Sequence, residues 1–323
     1  MLSVLIVGCG AIAGGLDAAR PGDALPRTHA AAYRANGGYR LAACVDPDAT
    51  RRRAFAVRWD VDSHFATLAE AASAGPFDVI SICSPTEAHA ADLAAAIAQR
   101  PRLVFCEKPV TPSLGETARL VRLASAQGVG LAVNHTRRWA PDVRALASEI
   151  AAGQWGHVRS VSAIYNKGVR NNGSHLFDLL LLLFGPLQVL ASGAPIADHC
   201  STDPTVPCML ETASGIPISV GIAHAADCAL FELTIITARG VISMEDGGAR
   251  WRIRTIVDSP SFPGYRALAS GEFRPGRYDE AMANAVAEFR LWLDGKAVLS
   301  STGETAAAAQ AISEAVLARA RAR

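Results

Sequence analysis

The sequence carries almost no excess of charge of either sign: 31 Lys and Arg stand against 30 Asp and Glu, a formal net charge of +1. A global basic field is therefore absent, and no nucleic-acid partner is expected. There is also no apolar run long enough to cross a membrane. The most apolar stretch, 176–184, is interrupted by Asp178 and falls far short of the roughly 20 residues that a spanning helix needs. The opening Met1-Leu2-Ser3-Val4 has no basic segment before its apolar run, so it reads as a first strand and not as a secretion signal. Internal repeats and low-complexity tracts are missing, apart from an alanine bias. The seven cysteines, an odd count, include no pair at a zinc-type spacing. Cys9, Cys44, Cys83 and Cys106 fall in or beside apolar runs, where a thiol behaves as a small apolar residue. Reduced structural thiols, no metal and a cytoplasmic location are expected. With half its residues apolar and 19% charged, the chain can bury a large core, and 323 residues suffice for two domains.

What is present first is alternation. Apolar strand patterns over 2–7, 40–45, 77–83, 103–106 and 130–133 alternate with helical ones over 11–19, 28–36, 87–99 and 114–126. A further helix follows Asp48, and a short extended piece lies near 62–65. This order predicts a doubly wound parallel sheet over 1–133. After Asn134 the pattern changes. A helix over 142–151 ends at Gly153, and alternating strands follow over 158–165, 188–193, 208–212, 217–223, 230–237, 241–245 and 250–255. One apolar helix, 174–184, interrupts them. The set predicts a large open, mainly antiparallel sheet in an α+β domain over 134–323. Residues 258–276 read as a loop, and 278–293 and 303–320 as closing helices, the last a candidate to pack back on the first domain.

Leu103-Val104-Phe105-Cys106-Glu107-Lys108-Pro109 is the most informative stretch. An apolar run bounded by Pro101 and Pro109 suits a strand buried on both faces. Lysine at such a strand's end is costly unless the end opens into a site. Pro109 keeps Lys108 out of the helical region, and the bond between them is a candidate cis peptide. Gly8-Cys9-Gly10-Ala11-Ile12-Ala13 is a G-x-G-x-x-A dinucleotide fingerprint between a strand and a helix. Gly8 permits the tight turn, and Gly10 lets the backbone approach the pyrophosphate at the helix start. Asp46 ends the second strand, where a carboxylate takes both ribose hydroxyls and repels a 2′-phosphate, so NAD is favoured. It lies further from Gly10 than the usual spacing of about 20 residues, and residues 14–26 account for the excess as an inserted loop. Arg51, Arg52 and Arg53 keep NADP open, or else line a solvated helix face. Ser84-Pro85 ends the fourth apolar strand. His89, in the next helix, is either a wall of the cofactor cleft or a capping histidine. His175 and Asp178 stand three apart at a helix start, on neighbouring faces of one turn. A histidine there can exchange a proton near neutral pH, or can be structural.

In this order the motifs resemble the Gfo/Idh/MocA family of oxidoreductases: the glycine fingerprint, Val45-Asp46, Ile82-Cys83-Ser84-Pro85 with His89, Glu107-Lys108-Pro109, Arg138-Trp139-Ala140-Pro141, Gly153-Gln154-Trp155-Gly156 and the 173–185 helix. The resemblance implies a Rossmann domain followed by an open-sheet domain that often serves oligomerisation, here a homodimer or homotetramer. It implies a nicotinamide cofactor contacted by Gly8, Gly10, Ala11, Ile12, Asp46, Ser84, Pro85, His89, Glu107, Lys108 and Arg138. It implies a carbohydrate-like small-molecule substrate, with Lys108 and His175 as the catalytic pair. Asn166, Lys167, Arg170, Asn171 and Asn172, chosen by position, join these two as substrate contacts. Asn171 stands where many members carry an aspartate four residues before the histidine, and an amide cannot trade a proton.

The expected reaction is hydride transfer between nicotinamide and a secondary alcohol or ketone carbon of a sugar, sugar nucleotide or cyclitol. His175 exchanges the hydroxyl proton, and Lys108 steadies the charge that develops on the oxygen. Two alternatives stay open: an NAD-dependent glycosidase of the same fold, and a non-catalytic regulator that senses the cofactor.

Overall fold

The computed structural model describes residues 1–22 and 24–322, and the chain divides into two compact units. The first comprises Met1–Trp139 and Asp279–Ala307, the second Ala140–Tyr278 and Ala308–Arg323.

The first unit is built on six parallel strands: β1 (Leu2–Val7), β2 (Tyr39–Val45), β3 (Ser63–Phe65), β4 (Val79–Ile82), β5 (Leu103–Cys106) and β6 (Gly130–Val133). Helices α1 (His29–Asn36), α2 (Ala49–Trp59), α3 (Leu68–Ala72), α4 (Thr86–Ala98) and α5 (Leu114–Ala126) connect them. The spatial order is 3-2-1-4-5-6, the doubly wound arrangement with its switch point between β1 and β4. Every residue of β4 and β5 is buried, as expected for strands covered on both faces. Thr28, Asp48, Thr67 and Ser113 cap their helices by accepting backbone N–H bonds.

One expected element takes another form. Residues 11–19 are not a helix; after Gly10 come a turn and a single 3-10 turn, Gly15–Asp17. The helix that the fingerprint opens is instead continued across a looped-out insertion. His29 N–H donates to the Ile12 carbonyl and Ala30 N–H to that of Ala13. Asp17 ties the loop shut by accepting from the N–H groups of Arg27 and Thr28 and from the Thr28 hydroxyl, at 2.8–2.9 Å.

The second unit begins with α6 (Pro141–Ala151) and holds β7 (Val158–Tyr165), α7 (Ser174–Phe184), β8 (Leu187–Ser192), β9 (Ile196–Cys200), β10 (Asp203–Thr205), β11 (Cys208–Thr212), β12 (Pro217–Ile222), β13 (Phe231–Thr237), β14 (Gly240–Glu245), β15 (Arg250–Asp258), β16 (Arg266–Leu268) and β17 (Glu272–Pro275). Nine of these strands form one sheet, antiparallel except where β12 runs parallel to β7. The strands β9 and β10 make a separate hairpin. The stretch 258–276, expected as loop, contributes β16 and β17, because the long β15 offers both of them a ladder.

The chain then returns to the first unit through α8 (Ala281–Leu293) and the start of α9 (Gly303–Arg321). Phe289 of α8 packs edge-on against Phe105 and Trp139, at centroid distances of 4.7 and 5.7 Å, and the Trp139 indole donates to Glu288. Among the described residues no helix is long and apolar enough to cross a membrane.

Candidate functional site

In the first unit the expected cofactor residues meet at the carboxyl ends of the strands. Gly8 has φ +86°, and a Cβ there would lie 2.6–2.7 Å from the backbone of Cys83 and Ser84. Only glycine lets the β1 turn come this close to the end of β4. Gly10 differs: a Cβ there would meet nothing within 4 Å. The space over Gly10 is the opening that a backbone approach to a pyrophosphate requires, so the chain fits a dinucleotide at this point.

Asp46 is 3% exposed, and its carboxylate accepts from the Cys9 N–H at 3.0 Å and the Asp48 N–H at 2.9 Å. It thereby joins the end of β2 to the glycine turn. A carboxylate has about four acceptor positions, so those left over remain for ribose hydroxyls. The Arg51 guanidinium lies 3.4 Å from Asp46, and Arg52 donates to the carbonyls of Asp46 and Pro47. The Ser84 hydroxyl donates to Asp92 at 2.6 Å. His89 is buried, with its two ring nitrogens each 2.8 Å from a carbonyl oxygen, that of Ser84 and that of Pro109. It therefore staples the loop after β4 to the loop after β5, a structural task beside the expected one of lining the cofactor.

Glu107, Lys108 and Pro109 follow β5, and the Lys108–Pro109 bond is cis. Glu107 Oε1 accepts from His29 Nε2 at 2.9 Å and from Asn134 Nδ2 at 2.6 Å. Burial pushes the Glu107 carboxyl up, but the His29 and Asn134 bonds and the charges of His29 and Lys108 outweigh it and leave the group below its ordinary range. Lys108 is half-buried at this edge. Arg138 is buried in the short turn Thr136–Trp139 and donates to the Ser300 carbonyl. His29, Asp92 and Asn134 went unrecognised in the sequence. His29 reaches Glu107 only because the insertion is looped out, and no local pattern records that.

In the second unit the expected substrate residues lie on the segment between β7 and α7. Asn166 is fully buried; its amide donates to the Cys228 carbonyl and accepts from the Leu230 N–H, so it ties down the 228–230 loop. Lys167 and Gly168 have φ of +66° and +88° and lead into a π-helical turn, Gly168–Gly173, that carries Arg170, Asn171 and Asn172. Asn171 is exposed, and Arg170 and Asn172 are half-buried. His175 stands half-buried in the first turn of α7, with Asp178 buried one turn on. π-turns inside helices are frequent at functional sites.

Comparison with known proteins shows what this arrangement is similar to. Residues 2–135 match the family model described as "Oxidoreductase family, NAD-binding Rossmann fold" (GFO_IDH_MocA). The chain is 26% identical to the inositol 2-dehydrogenase of Rhizobium meliloti (strain 1021) over 312 residues, 90% of this chain and 92% of that one. Its fold is shared by an oxidoreductase from Agrobacterium radiobacter solved with NAD+, L-tartaric acid and magnesium, at TM-score 0.79 and 17% identity over 99% of this chain and 96% of that one. It is shared equally by the WlbA dehydrogenase of Bordetella pertussis solved with NADH and UDP-GlcNAcA, at TM-score 0.78 and 17% identity over the same shares. Over residues 2–135 the chain is thus similar to the Gfo/Idh/MocA oxidoreductases with their NAD-binding Rossmann fold.

Proposed function

We propose that this oxidoreductase interconverts a secondary alcohol and a ketone on a sugar, sugar nucleotide or cyclitol, with NAD preferred over NADP. The preference rests on Asp46, a buried carboxylate tied to the glycine turn, which a 2′-phosphate would meet with like charge. Bound nicotinamide supplies the two-electron acceptor or donor. The chain supplies the rest. Gly10 leaves room for the pyrophosphate, and Ser84 and His89 shape the neighbouring loops. Lys108 holds the substrate oxygen and offsets its developing negative charge. His175 takes the hydroxyl proton in oxidation and returns it in reduction. The observation that carries this reading is the open space above Gly10 at the switch point, on the same strand edge as Lys108.

Single-turnover reduction of NAD with myo-inositol, and separately with a UDP-linked sugar acid, tests the assignment. Lys108→Ala and His175→Ala should each slow the step by roughly 10²–10⁴-fold. Near-normal rates in both variants would remove the two residues from the mechanism. We further read the chain as a homodimer or homotetramer through its large sheet. Ile164, Met209 and Ile236 are exposed there on residues whose pairing puts them on one face. Sedimentation of Met209→Glu as a smaller species than the parent would support this.

A further inference from the structure

The backbone that carries the proposed substrate residues is held from outside. Lys167, which precedes the π-turn, makes no side-chain cap. The leading N–H groups of such a turn need acceptors. The β9–β10 hairpin provides them, some thirty residues later in the chain. Asp198 Oδ2 accepts from the Lys167 N–H at 2.5 Å and from the Thr205 hydroxyl at 2.8 Å. The Thr205 oxygen in turn accepts from the Gly168 N–H at 2.8 Å. Asp203 takes the next two, with Oδ1 on the Arg170 N–H at 2.9 Å and Oδ2 on the Asn171 N–H at 2.8 Å. Asp198 Oδ1 is anchored on the far side by the Ala225 N–H at 2.6 Å. The fit leaves no slack: a Cβ on Gly168 would lie 2.2 Å from Asp203 Oδ2.

Four of the five N–H groups from Lys167 to Asn171 are thus met by two carboxylates and one hydroxyl, and the Asp198 side chain and Thr205 are wholly buried. Charge-assisted bonds of this kind are the stronger class. Left-handed backbone at a non-glycine such as Lys167 persists only where its surroundings over-determine it. We propose that Asp198, Asp203 and Thr205 are positioning residues for substrate selection. They fix the course of the backbone from Lys167 to Asn172, and so where Arg170, Asn171, Asn172 and the following His175 are presented. The inference rests on the oxidoreductase reading above, but its first measurement does not.

That measurement is amide hydrogen exchange over 167–175 in the intact chain, parent against Asp203→Asn, Thr205→Val and Thr205→Ser. Losing one charge-assisted bond should speed exchange at 170–171 in Asp203→Asn, and at 167–168 in Thr205→Val, by roughly 10-fold or more. Thr205→Ser, which keeps the hydroxyl, should match the parent. The second measurement is turnover with NAD and the same two probes, myo-inositol and a UDP-linked sugar acid. In Asp203→Asn and Thr205→Val the substrate KM should rise by about 10-fold, while kcat and the NAD KM change by less than about 3-fold. Unaltered exchange in both variants overturns the clamp. Faster exchange with an unaltered substrate KM overturns the positioning role and leaves a purely structural hairpin. If the parent itself turns over neither probe, the substrate reading above fails, and the exchange data still decide the clamp.

Discussion

The two fingerprint glycines should fail in opposite ways when each is given a methyl group. At Gly8 the left-handed backbone costs an L-residue about 1–2 kcal/mol. The new Cβ also lies 2.6–2.7 Å from Ser84 N and from Cys83 C and O, which are main-chain atoms of a buried strand end and cannot swing aside. Overpacking of that kind costs about 1–3 kcal/mol. Gly8→Ala should therefore destabilise the chain by about 2–5 kcal/mol, against a total of about 5–15 kcal/mol for a typical protein. At Gly10 the Cβ meets nothing within 4 Å, and φ is not left-handed. Stability of Gly10→Ala should stay within about 0.5 kcal/mol of the parent. The same methyl fills the space proposed for the pyrophosphate, so NAD affinity should fall by about 10–100-fold. Urea-unfolding midpoints and NAD titrations on both variants check the pair. Should Gly10→Ala unfold as early as Gly8→Ala, or bind NAD like the parent, the space above Gly10 is not the cofactor's cradle.

Glu107 gives a test in acid. Its carboxyl is held below the ordinary range in the folded chain, so its stabilising effect is complete above the ordinary value of 4.5 and is lost as pH falls through the lowered one. Glu107→Gln should flatten the acid limb of stability as pH falls below the ordinary value of 4.5 while leaving its slope near pH 7 unchanged; a variant that loses stability on acidification as steeply as the parent would contradict the assignment. Thiol labelling of the native chain should be confined to Cys200 and Cys228, which are exposed, and Cys200 should react first because the Thr202 hydroxyl and N–H hold its thiol below the usual range. Burial pushes Cys208 up to about 12 and raises Cys83 and Cys106 as well, so fast labelling of more than two thiols would show that the fold is looser than described.

The sheet of the first unit was legible because its strands are short apolar runs separated by turn residues, and burial on both faces leaves little else for them to be. The insertion was legible as a spacing anomaly between Gly10 and Asp46. Its consequence was not. An alanine-rich stretch with helical periodicity over 11–19 favours a helix locally, yet the carbonyls of Ile12 and Ala13 are bonded to His29 and Ala30, across a gap no local pattern spans. The hairpin at 196–205 and the strands within 258–276 escaped for the same reason. They are three to five residues long, and their pairing partners, not their composition, make them strands. Asn166 shows the limit for site residues. A polar residue beside a suspected pocket reads as a ligand contact, but in the fold its amide is buried against 228–230. Sequence position does not separate an amide that faces a ligand from one that ties down a loop.

A common use of carboxylates runs through both units and bears on the chemistry. Asp17 closes the insertion on the N–H groups of Arg27 and Thr28. Asp46 holds those of Cys9 and Asp48, and Asp198 and Asp203 hold four more, at Lys167, Arg170, Asn171 and Ala225. Glu107 is engaged by His29 and Asn134. A carboxylate that accepts two or more such bonds is stabilised as the anion, and the Asp17, Asp198 and Glu107 carboxyls are all held below their usual range. Groups in that condition are poor proton carriers near neutral pH, since an acid/base works best with its pKa near the operating pH. These carboxylates serve as fasteners, and Asn171, an amide, cannot trade a proton. That accords with the proposal that Lys108 and His175 carry the proton transfer. A carboxylate-to-amide change at Asp198 or Asp203 should accordingly alter substrate affinity and leave the pH dependence of kcat where it was; a shifted pH optimum would assign that residue a proton.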